Sequence, residues 1–302
     1  MEKVKRERRV MNPFLDWCFK YLFGTEENKP NLIGFLNLML MPQSPIVDVE
    51  FMNNESLPSS PEIKECVFDI VCKDQNGERY LIEVQNGKMI EIKDRIIYYT
   101  CRLMDRMGKR GSGWNYSDIK RVYTICLMNF TFESNPKLRR DIQLYDIDDN
   151  TLFSDKINII MLQLPCLKAE SLGECKANYE LLLYLLKEMQ AGMKTIDELK
   201  QEIANTTLPQ KTKEVFYRVL DTADVGSLSE KDQMRYESAL KNYLDTMSCI
   251  EYATVKVREE GKAEGKAEGK AEGLAEGIAE GESMAKVTIA KSMKEKGLDN
   301  KI

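Results

Sequence analysis

Two short apolar segments of this chain each carry a carboxylate that an apolar strand does not need. Asp69 lies within residues 66–71 and Glu83 within residues 80–85, and residues 73–79 between them have the composition of a turn. Neighbouring strands that bring carboxylates to one point offer the hard oxygen ligands that divalent cations prefer. The spacing therefore predicts a hairpin with a candidate metal site.

The length of the turn decides whether the two carboxylates meet. A two-residue Asn-Gly turn would point Glu83 to the face opposite Asp69. A three-residue loop, 75–77, gives Gly77 the positive φ that glycine tolerates and places Asp69 opposite Glu83, with Cβ atoms ~5 Å apart. We expect this loop, because it leaves one mixed face and one wholly apolar face made by Phe68, Ile70, Ile82 and Val84.

Gln85 shares the mixed face with Asp69 and Glu83, because side chains alternate along a strand. Three apolar side chains share that face as well: Val67, Val71 and Leu81. We therefore expect the face to be partly buried, and a buried carboxylate needs a partner. Acids on the solvent face of an ordinary amphipathic hairpin fit the same spacing, so both interpretations stay open at this point.

Five short segments follow one another in a characteristic order of helix, Asp strand, Glu-x-Gln strand and helix. They are residues 16–24, 35–37, 68–70, 82–85 and 95–99. On these segments the first ~130 residues, an ordinary domain length, resemble the PD-(D/E)XK nuclease core. The closer resemblance is to the family of recombination-promoting nucleases and transposases. It implies an α/β fold with a restriction-endonuclease-like core, a mixed sheet flanked by helices.

The resemblance also implies an activity, a DNA endonuclease that depends on Mg²⁺ or Mn²⁺ and is linked to recombination or transposition. Asp69 and Glu83 would be its catalytic metal ligands. Gln85, which stands where most nucleases of the wider superfamily have lysine, would orient a water but supplies no positive charge. Asp16 matches the acidic residue of the first segment. It would be a further metal ligand, or a helix cap or first-turn charge.

Basic residues are concentrated between residues 88 and 121, although the whole chain has a formal net charge of −5. Such a cluster neutralises phosphates in DNA binding, but intrahelical ion pairs explain it equally well. The first nine residues are basic too. We expect Arg95, Tyr98 and Arg102 to contact DNA, with Arg95 and Tyr98 alternatively bracing the carboxylates.

The composition excludes several kinds of site. The sequence contains no histidine, which rules out Ser-His-Asp catalysis and zinc sites that use histidine. Its eight cysteines have no paired short spacing, and five in apolar stretches predict buried thiols in a reducing cytoplasm: Cys18, Cys66, Cys72, Cys101 and Cys126. With no apolar run of about 18 residues and no apolar segment behind the basic start, we expect a cytoplasmic protein without a membrane span or secretory signal.

Hydrophobic periodicity predicts the order of the elements. Strands are expected at 45–52, 66–71, 80–85, 121–132 and 157–164, with 121–132 at the centre of the sheet. Helices are expected within 12–41, at 94–107 with Ile97, Cys101 and Met104 inward, and at 179–189, 196–205, 211–220 and 230–247. We divide the chain into a nuclease-like domain (1–165), a helical region (166–250) and a tail (251–302).

Glycine recurs every fourth residue from Gly261 to Gly281 in the tail. Each glycine costs a helix about 1 kcal/mol relative to alanine, which favours a partly helical or disordered solubilising tail. Close helix approach at glycine would instead make the tail a self-association segment. Because such a tail and the helical region both suit assembly, we expect a homo-oligomer. The competing functional hypothesis is a catalytically silent DNA-binding or oligomeric assembly module.

Overall fold

The computed structural model describes residues 9–53, 55–56, 66–67, 69–108 and 115–295. Some residues used in the sequence predictions lie outside this part of the chain. They are the basic residues within 1–8, Phe68, Lys109 and Arg110.

Seven helices and eight strands make up the described chain. The helices are α1 (Asp16–Phe23), α2 (Lys29–Leu40), α3 (Ile92–Asp105), α4 (Asn178–Ala191), α5 (Ile196–Ala204), α6 (Gln210–Thr222) and α7 (Glu230–Glu295). The strands are β1 (Val49–Phe51), β2 (Glu55–Ser56), β3 (Cys66–Val67), β4 (Ile70–Asp74), β5 (Arg79–Gln85), β6 (Val122–Met128), β7 (Arg139–Tyr145) and β8 (Leu152–Gln163).

The hairpin of β4 and β5 has the predicted three-residue loop. Ile70 lies opposite Ile82, and the pairing continues without a shift to the loop. Gly77 has a φ of +79°, as that loop requires. The Asp74 carboxylate accepts hydrogen bonds from the N–H groups of Asn76, in the loop, and Glu78, just after it, at 2.9 Å each, and so closes the turn. The register that brings the two carboxylates together is therefore confirmed.

Six strands form one mixed sheet in the order β1-β4-β5-β6-β8-β7, and β2 pairs separately with β3. The β5–β6 and β6–β8 pairs are parallel, whereas the outer pairs are antiparallel. The prediction of β6 near the centre is confirmed. Its sequence is almost entirely apolar, because a strand inside such a sheet is covered on both faces.

Helix α3 covers the mixed face of the hairpin, but not with the side chains that periodicity suggested. Its buried residues are Ile92, Ile96, Thr100 and Leu103. Ile97 and Cys101, expected inward, are exposed, and Met104 is only half-buried. The buried stripe includes a threonine because Thr100 Oγ1 lies 2.7 Å from Thr124 Oγ1 on β6. That polar pair spans two elements, so helical periodicity alone does not reveal it.

The hairpin of β7 and β8 extends the sheet beyond the prediction. Strand β8 begins at Leu152 rather than at 157, and β7 was not predicted at all. Both β7 and the first half of β8 are partly or fully exposed, so their sequences lack the apolar run that marks a buried strand.

Helices α4 and α6 pack against α2. At the contact between α2 and α6, Gly34 lies close to Val215. The chain divides into two compact units, with the boundary between Leu240 and Lys241. Within the described residues the second unit is the continuation of α7, which ends at Glu295, so the glycine repeat from Gly261 to Gly281 is helical. Among the described residues, no helix has the length and apolar character needed to cross a membrane.

Candidate active site

Asp69 and Glu83 are held together by an exchange of backbone hydrogen bonds. The N–H of Asp69 donates to Glu83 Oε1 at 3.3 Å, and the N–H of Val84 donates to Asp69 Oδ2 at 2.8 Å. Each carboxylate thus accepts a hydrogen bond from the strand of the other. Glu83 is only 3% exposed, whereas Asp69 is half-buried. The predicted pair is therefore a fixed feature of the hairpin.

Lys20 of α1 reaches the same point. Its Nζ lies 3.6 Å from Asp69 Oδ1 and 2.7 Å from Asp16 Oδ1. Asp16 opens α1 as a first-turn residue without capping the helix, and its carboxyl group contributes to the raised pKa of Asp69. The structure thus brings three acids and one lysine together, with the side chain of Asp16 on the exposed side of the group.

Two further side chains fix Glu83 from the other direction. Arg95 Nη2 on α3 donates to Glu83 Oε2 at 3.2 Å, and Gln85 Nε2 donates to the same oxygen at 3.4 Å. The guanidinium of Arg95 also lies 4.9 Å from the ring centre of Tyr99. Of the two roles expected for Arg95, the geometry matches the bracing of a carboxylate.

Helix α1 is fixed against the hairpin at both of its ends. The side-chain amide of Asn86, which follows β5, donates to the carbonyl of Phe14 just before the helix. Gly24 ends the helix so close to Ile70 that an added Cβ would lie 3.3 Å from Ile70 Cγ1 and 2.9 Å from the carbonyl oxygen of Lys20. These contacts set the distance between Lys20 and the β4 strand.

Burial of two facing carboxyl groups raises the pKa of both. For Glu83, burial is the largest cause and repulsion from Asp69 the next, while the charge of Arg95 acts in the opposite direction. For Asp69, burial outweighs the N–H of Val84 and the charge of Lys20. Partial burial lowers the pKa of Lys20, but its contacts with Asp16 and Asp69 raise it overall. Lys20 is therefore a fixed cation at neutral pH.

The donor set fits a hard divalent cation that keeps part of its water shell. Mg²⁺ is usually held by one or two carboxylates together with water and substrate phosphates. Asp69 and Glu83 supply two carboxylates whose mutual repulsion a cation would relieve. Within the described part of the chain, no group of three or more Asp, Glu or Cys side chains is arranged to hold a metal ion. The fit is thus to a cation shared with substrate, not to one fully enclosed by protein.

The other residues expected to contact DNA are more widely spread. Tyr98 lies on the exposed side of α3, and Arg102 Nη1 lies 3.6 Å from Asp105 of the same helix. Arg121 precedes β6 and contacts Glu78 and Asp155. Since Val122 pairs with Arg79 at the start of β5, Arg121 lies at the opposite end of that strand from Glu83. Arg121, which ends the basic cluster of residues 88–121, therefore lies away from the carboxylates.

Sequence reasoning missed Lys20 and Tyr99. Asp16 and Lys20 have the i, i+4 spacing of a helical ion pair, which signals proximity to each other but not to Asp69. Tyr99 follows Arg95 by four residues, so the two lie on one face of α3. Tyr98 was predicted instead because Ile97, Cys101 and Met104 were assigned to the core and Tyr98 lies on the neighbouring stripe of the helix.

The chain matches the model of a known protein family. The family described as PD-(D/E)XK nuclease family transposase matches residues 13–253, which include the hairpin, α1 and α3. No curated protein and no solved structure matches the chain. The match spans well over half of the 302 residues. The chain therefore belongs to the PD-(D/E)XK nuclease family of transposases.

Proposed function

We propose that this protein is a DNA endonuclease that depends on Mg²⁺ or Mn²⁺ and acts in transposition or recombination. Family membership implies a nuclease. The observation that carries the proposal is the buried pair of Asp69 and Glu83, held by reciprocal hydrogen bonds beside a lysine and an arginine. On a strand face covered by α3, two facing acids have no structural use, because their burial opposes folding.

Asp69 and Glu83 would hold the metal, with Asp16 available at the exposed side. When bound, such a cation lowers the pKa of a coordinated water and neutralises charge that develops on the phosphate. Arg95 keeps Glu83 in place through their 3.2 Å contact. Gln85 already donates to Glu83 through its nitrogen, so its carbonyl oxygen is the atom that would accept a hydrogen bond from the attacking water.

Lys20 would supply the positive charge that Gln85 lacks. It is the ammonium group held 3.6 Å from Asp69, and its raised pKa keeps it protonated. A fixed cation beside the reacting phosphate stabilises negative charge in the transition state without reorganisation of the site. With Lys20 in this role, the site has a cation although residue 85 is a glutamine.

DNA would approach on the exposed side of Asp16 and along α3. Tyr98 presents an exposed aromatic ring, which suits contact with a sugar or base. Arg102 is largely buried beside Asp105, so its contact with DNA requires the side chain to turn outward. Arg95 would act through Glu83 rather than on the backbone of DNA.

The second candidate function is a catalytically silent DNA-binding or oligomeric assembly module. The contacts of Lys20 and Arg95 with the acids favour it, because internal cations already compensate part of the charge that a metal would neutralise. This candidate predicts DNA binding that is insensitive to loss of Glu83, and no cleavage with any metal.

Nicking of supercoiled plasmid separates the two functions. The full chain is assayed with Mg²⁺, with Mn²⁺ and with EDTA, beside Asp69→Ala, Glu83→Ala and the control Glu50→Ala. Glu50 is an exposed acid on β1 that pairs with Lys73 at 2.8 Å. We expect metal-dependent nicking that both site variants lose and the control retains. Equal nicking by all variants would refute the site, and DNA binding without nicking by the wild type would favour the silent module.

A further inference from the structure

The β7–β8 hairpin carries the densest group of exposed large apolar side chains on the sheet. Six of them lie on β7, on the turn or at the start of β8, and they are between 41% and 95% exposed. They are Ile142, Leu144, Tyr145, Ile147, Leu152 and Phe153. Exposed apolar side chains on an unpaired sheet edge mark an interaction site or an aggregation hazard.

The outer edge of β7 has backbone groups available for another strand. Within the described chain, β7 ends the strand order and pairs only with β8. The carbonyl of Leu138 accepts a hydrogen bond from the N–H of Gln163, and the N–H of Asp146 donates to the carbonyl of Thr151. The backbone groups of even-numbered residues therefore point toward β8 at both ends of the strand. The register shifts between Ile142 and Tyr145, but the extra residues lie on β8, and the two ends of β7 keep the same parity. The odd-numbered residues from 139 to 145 therefore turn their N–H and C=O groups outward.

The sequence of this edge is complementary to itself in the antiparallel direction. Lys137 and Arg140 precede its middle, and Asp149 and Asp146 follow it at the matching distances. Arg139 and Asp141 pair with each other within the strand at 2.8 Å. If Gln143 faces Gln143 of a second copy across a two-fold axis, Arg140 faces Asp146 and Ile142 faces Leu144. In that register the outward odd-numbered residues pair with one another, as an antiparallel ladder requires.

We propose that β7 is a homodimer interface, at which a second copy of this chain adds its own β7 to form one continuous sheet. The interface is isologous, as in most dimers with two-fold symmetry. Ile142 and Leu144 form close apolar pairs on both sides of the axis. Arg140, which also contacts Glu133 in its own chain, lies opposite Asp146, and its five N–H groups serve both acids.

The charges of the hairpin exclude DNA as the occupant of this edge. Asp146, Asp148 and Asp149 lie together around the turn and would repel phosphate. A second copy related by a two-fold axis, in contrast, places acidic residues opposite basic ones on both sides of the axis. This proposal does not depend on the nuclease activity proposed above.

Light scattering of the full chain in solution tests the interface with a pair of opposite substitutions. The wild type is expected at twice the 34.8 kDa chain mass. Leu144→Lys and Ile142→Glu are each expected to reduce the mass to that of one chain. The double variant, in which each Lys faces a Glu of the other copy, is expected to restore the dimer. Val47→Lys, at a 70% exposed valine outside the strand, should remain dimeric.

Crosslinking keeps the test decisive if a single variant fails to fold. Opposed residues of a hydrogen-bonded antiparallel pair have Cα atoms about 5.5 Å apart, within the range of a disulfide. Gln143→Cys should therefore give a reducible dimer on oxidation that the wild type, with its native cysteines, does not give. A monomeric wild type, a dimer that survives Leu144→Lys, or absence of the Gln143→Cys crosslink would each overturn the interface.

Discussion

Hydrogen bonds hold Asp69 and Glu83 together although their negative charges repel each other. Their reciprocal hydrogen bonds favour the ionised forms, whereas burial and mutual repulsion raise the pKa of both. In the metal-free protein the second effect dominates. The metal-free site therefore stores electrostatic free energy, which the proposed cation would release on binding.

Glu83→Gln is expected to stabilise the metal-free protein at neutral pH. The raised pKa of Glu83 means that the native state binds more protons than the unfolded chain between the two pKa values. Stability therefore falls as the pH rises through that window, and an amide removes the loss. We expect a gain on the order of 1 kcal/mol, the scale of one pKa unit, at pH 8, and little at pH 4. Urea unfolding in EDTA measures it, with the exposed Glu50→Gln as control; an equal gain at both pH values would contradict the linkage.

Lys20→Gln is expected to slow nicking roughly 100-fold, the cost of removing one transition-state donor, with little change in DNA affinity. Lys20→Arg, which keeps the charge, should recover part of the rate. Lys29→Gln is the matched control, because Lys29 also bridges two acids, Glu26 at 3.0 Å and Asp48 at 3.7 Å, on a different helix. Wild-type nicking by Lys20→Gln would remove Lys20 from the proposed chemistry.

At the scale of elements, the hairpin was predictable because its register depends on local sequence. Features that depend on packing between distant segments were not predictable. Gly77 and the turn composition fixed the register, and with it the meeting of Asp69 and Glu83. Lys20 could not be assigned from sequence, since it meets Asp69 only because α1 packs against the start of β4. Strand β7 was missed because it is partly or fully exposed along its length. Its sequence therefore lacks the apolar run of a core strand.

Gly34→Ala is expected to destabilise the first unit by about 1 to 3 kcal/mol, the usual cost of overpacking. A Cβ at Gly34 would lie 2.6 Å from Val215 Cγ1, so either the Val215 side chain or the packing of α2 on α6 must shift. Urea unfolding followed by tryptophan fluorescence measures the loss. The double variant Gly34→Ala/Val215→Ala should lose less than the sum of the single variants, because the second change removes the clash. Additive losses would mean that the close approach of the two helices is not the cause.

The glycines of α7 are expected to respond in the opposite direction. From Gly261 to Gly281, apart from the nearby backbone of the helix itself, no described atom lies within 4 Å of the place that an added Cβ would take, so alanine meets no obstacle there. Gly265→Ala and Gly269→Ala should each stabilise the helix by about 1 kcal/mol. Thermal loss of the helical circular dichroism signal measures this gain. If these substitutions instead reduce the mass of the protein in solution, close helix approach at glycine is needed for self-association, and the solubilising interpretation of the tail fails.

At the scale of the whole molecule, the net charge of −5 leaves DNA binding to a small number of residues. Several basic residues of the predicted cluster already contact acids within the chain. Lys93 contacts Glu133 at 2.8 Å, Arg95 contacts Glu83 and Arg121 contacts Asp155. The uncompensated charge around the site is thus smaller than the sequence count suggests, because that count ignores acids brought close by folding.

The affinity of the full chain for DNA is therefore expected to fall only gently with salt. Each phosphate neutralised by a basic residue contributes about −0.9 to the slope of log affinity against log salt concentration, and we expect a slope no steeper than about −4. Fluorescence anisotropy with a labelled duplex, measured in EDTA and in Mg²⁺ with Glu83→Ala as control, determines it. Mg²⁺ should strengthen binding of the wild type but not of the variant, since a cation held by the acids adds a contact to phosphate. A slope near −8 in EDTA would show that the chain neutralises phosphates with many more basic residues than remain uncompensated around the site.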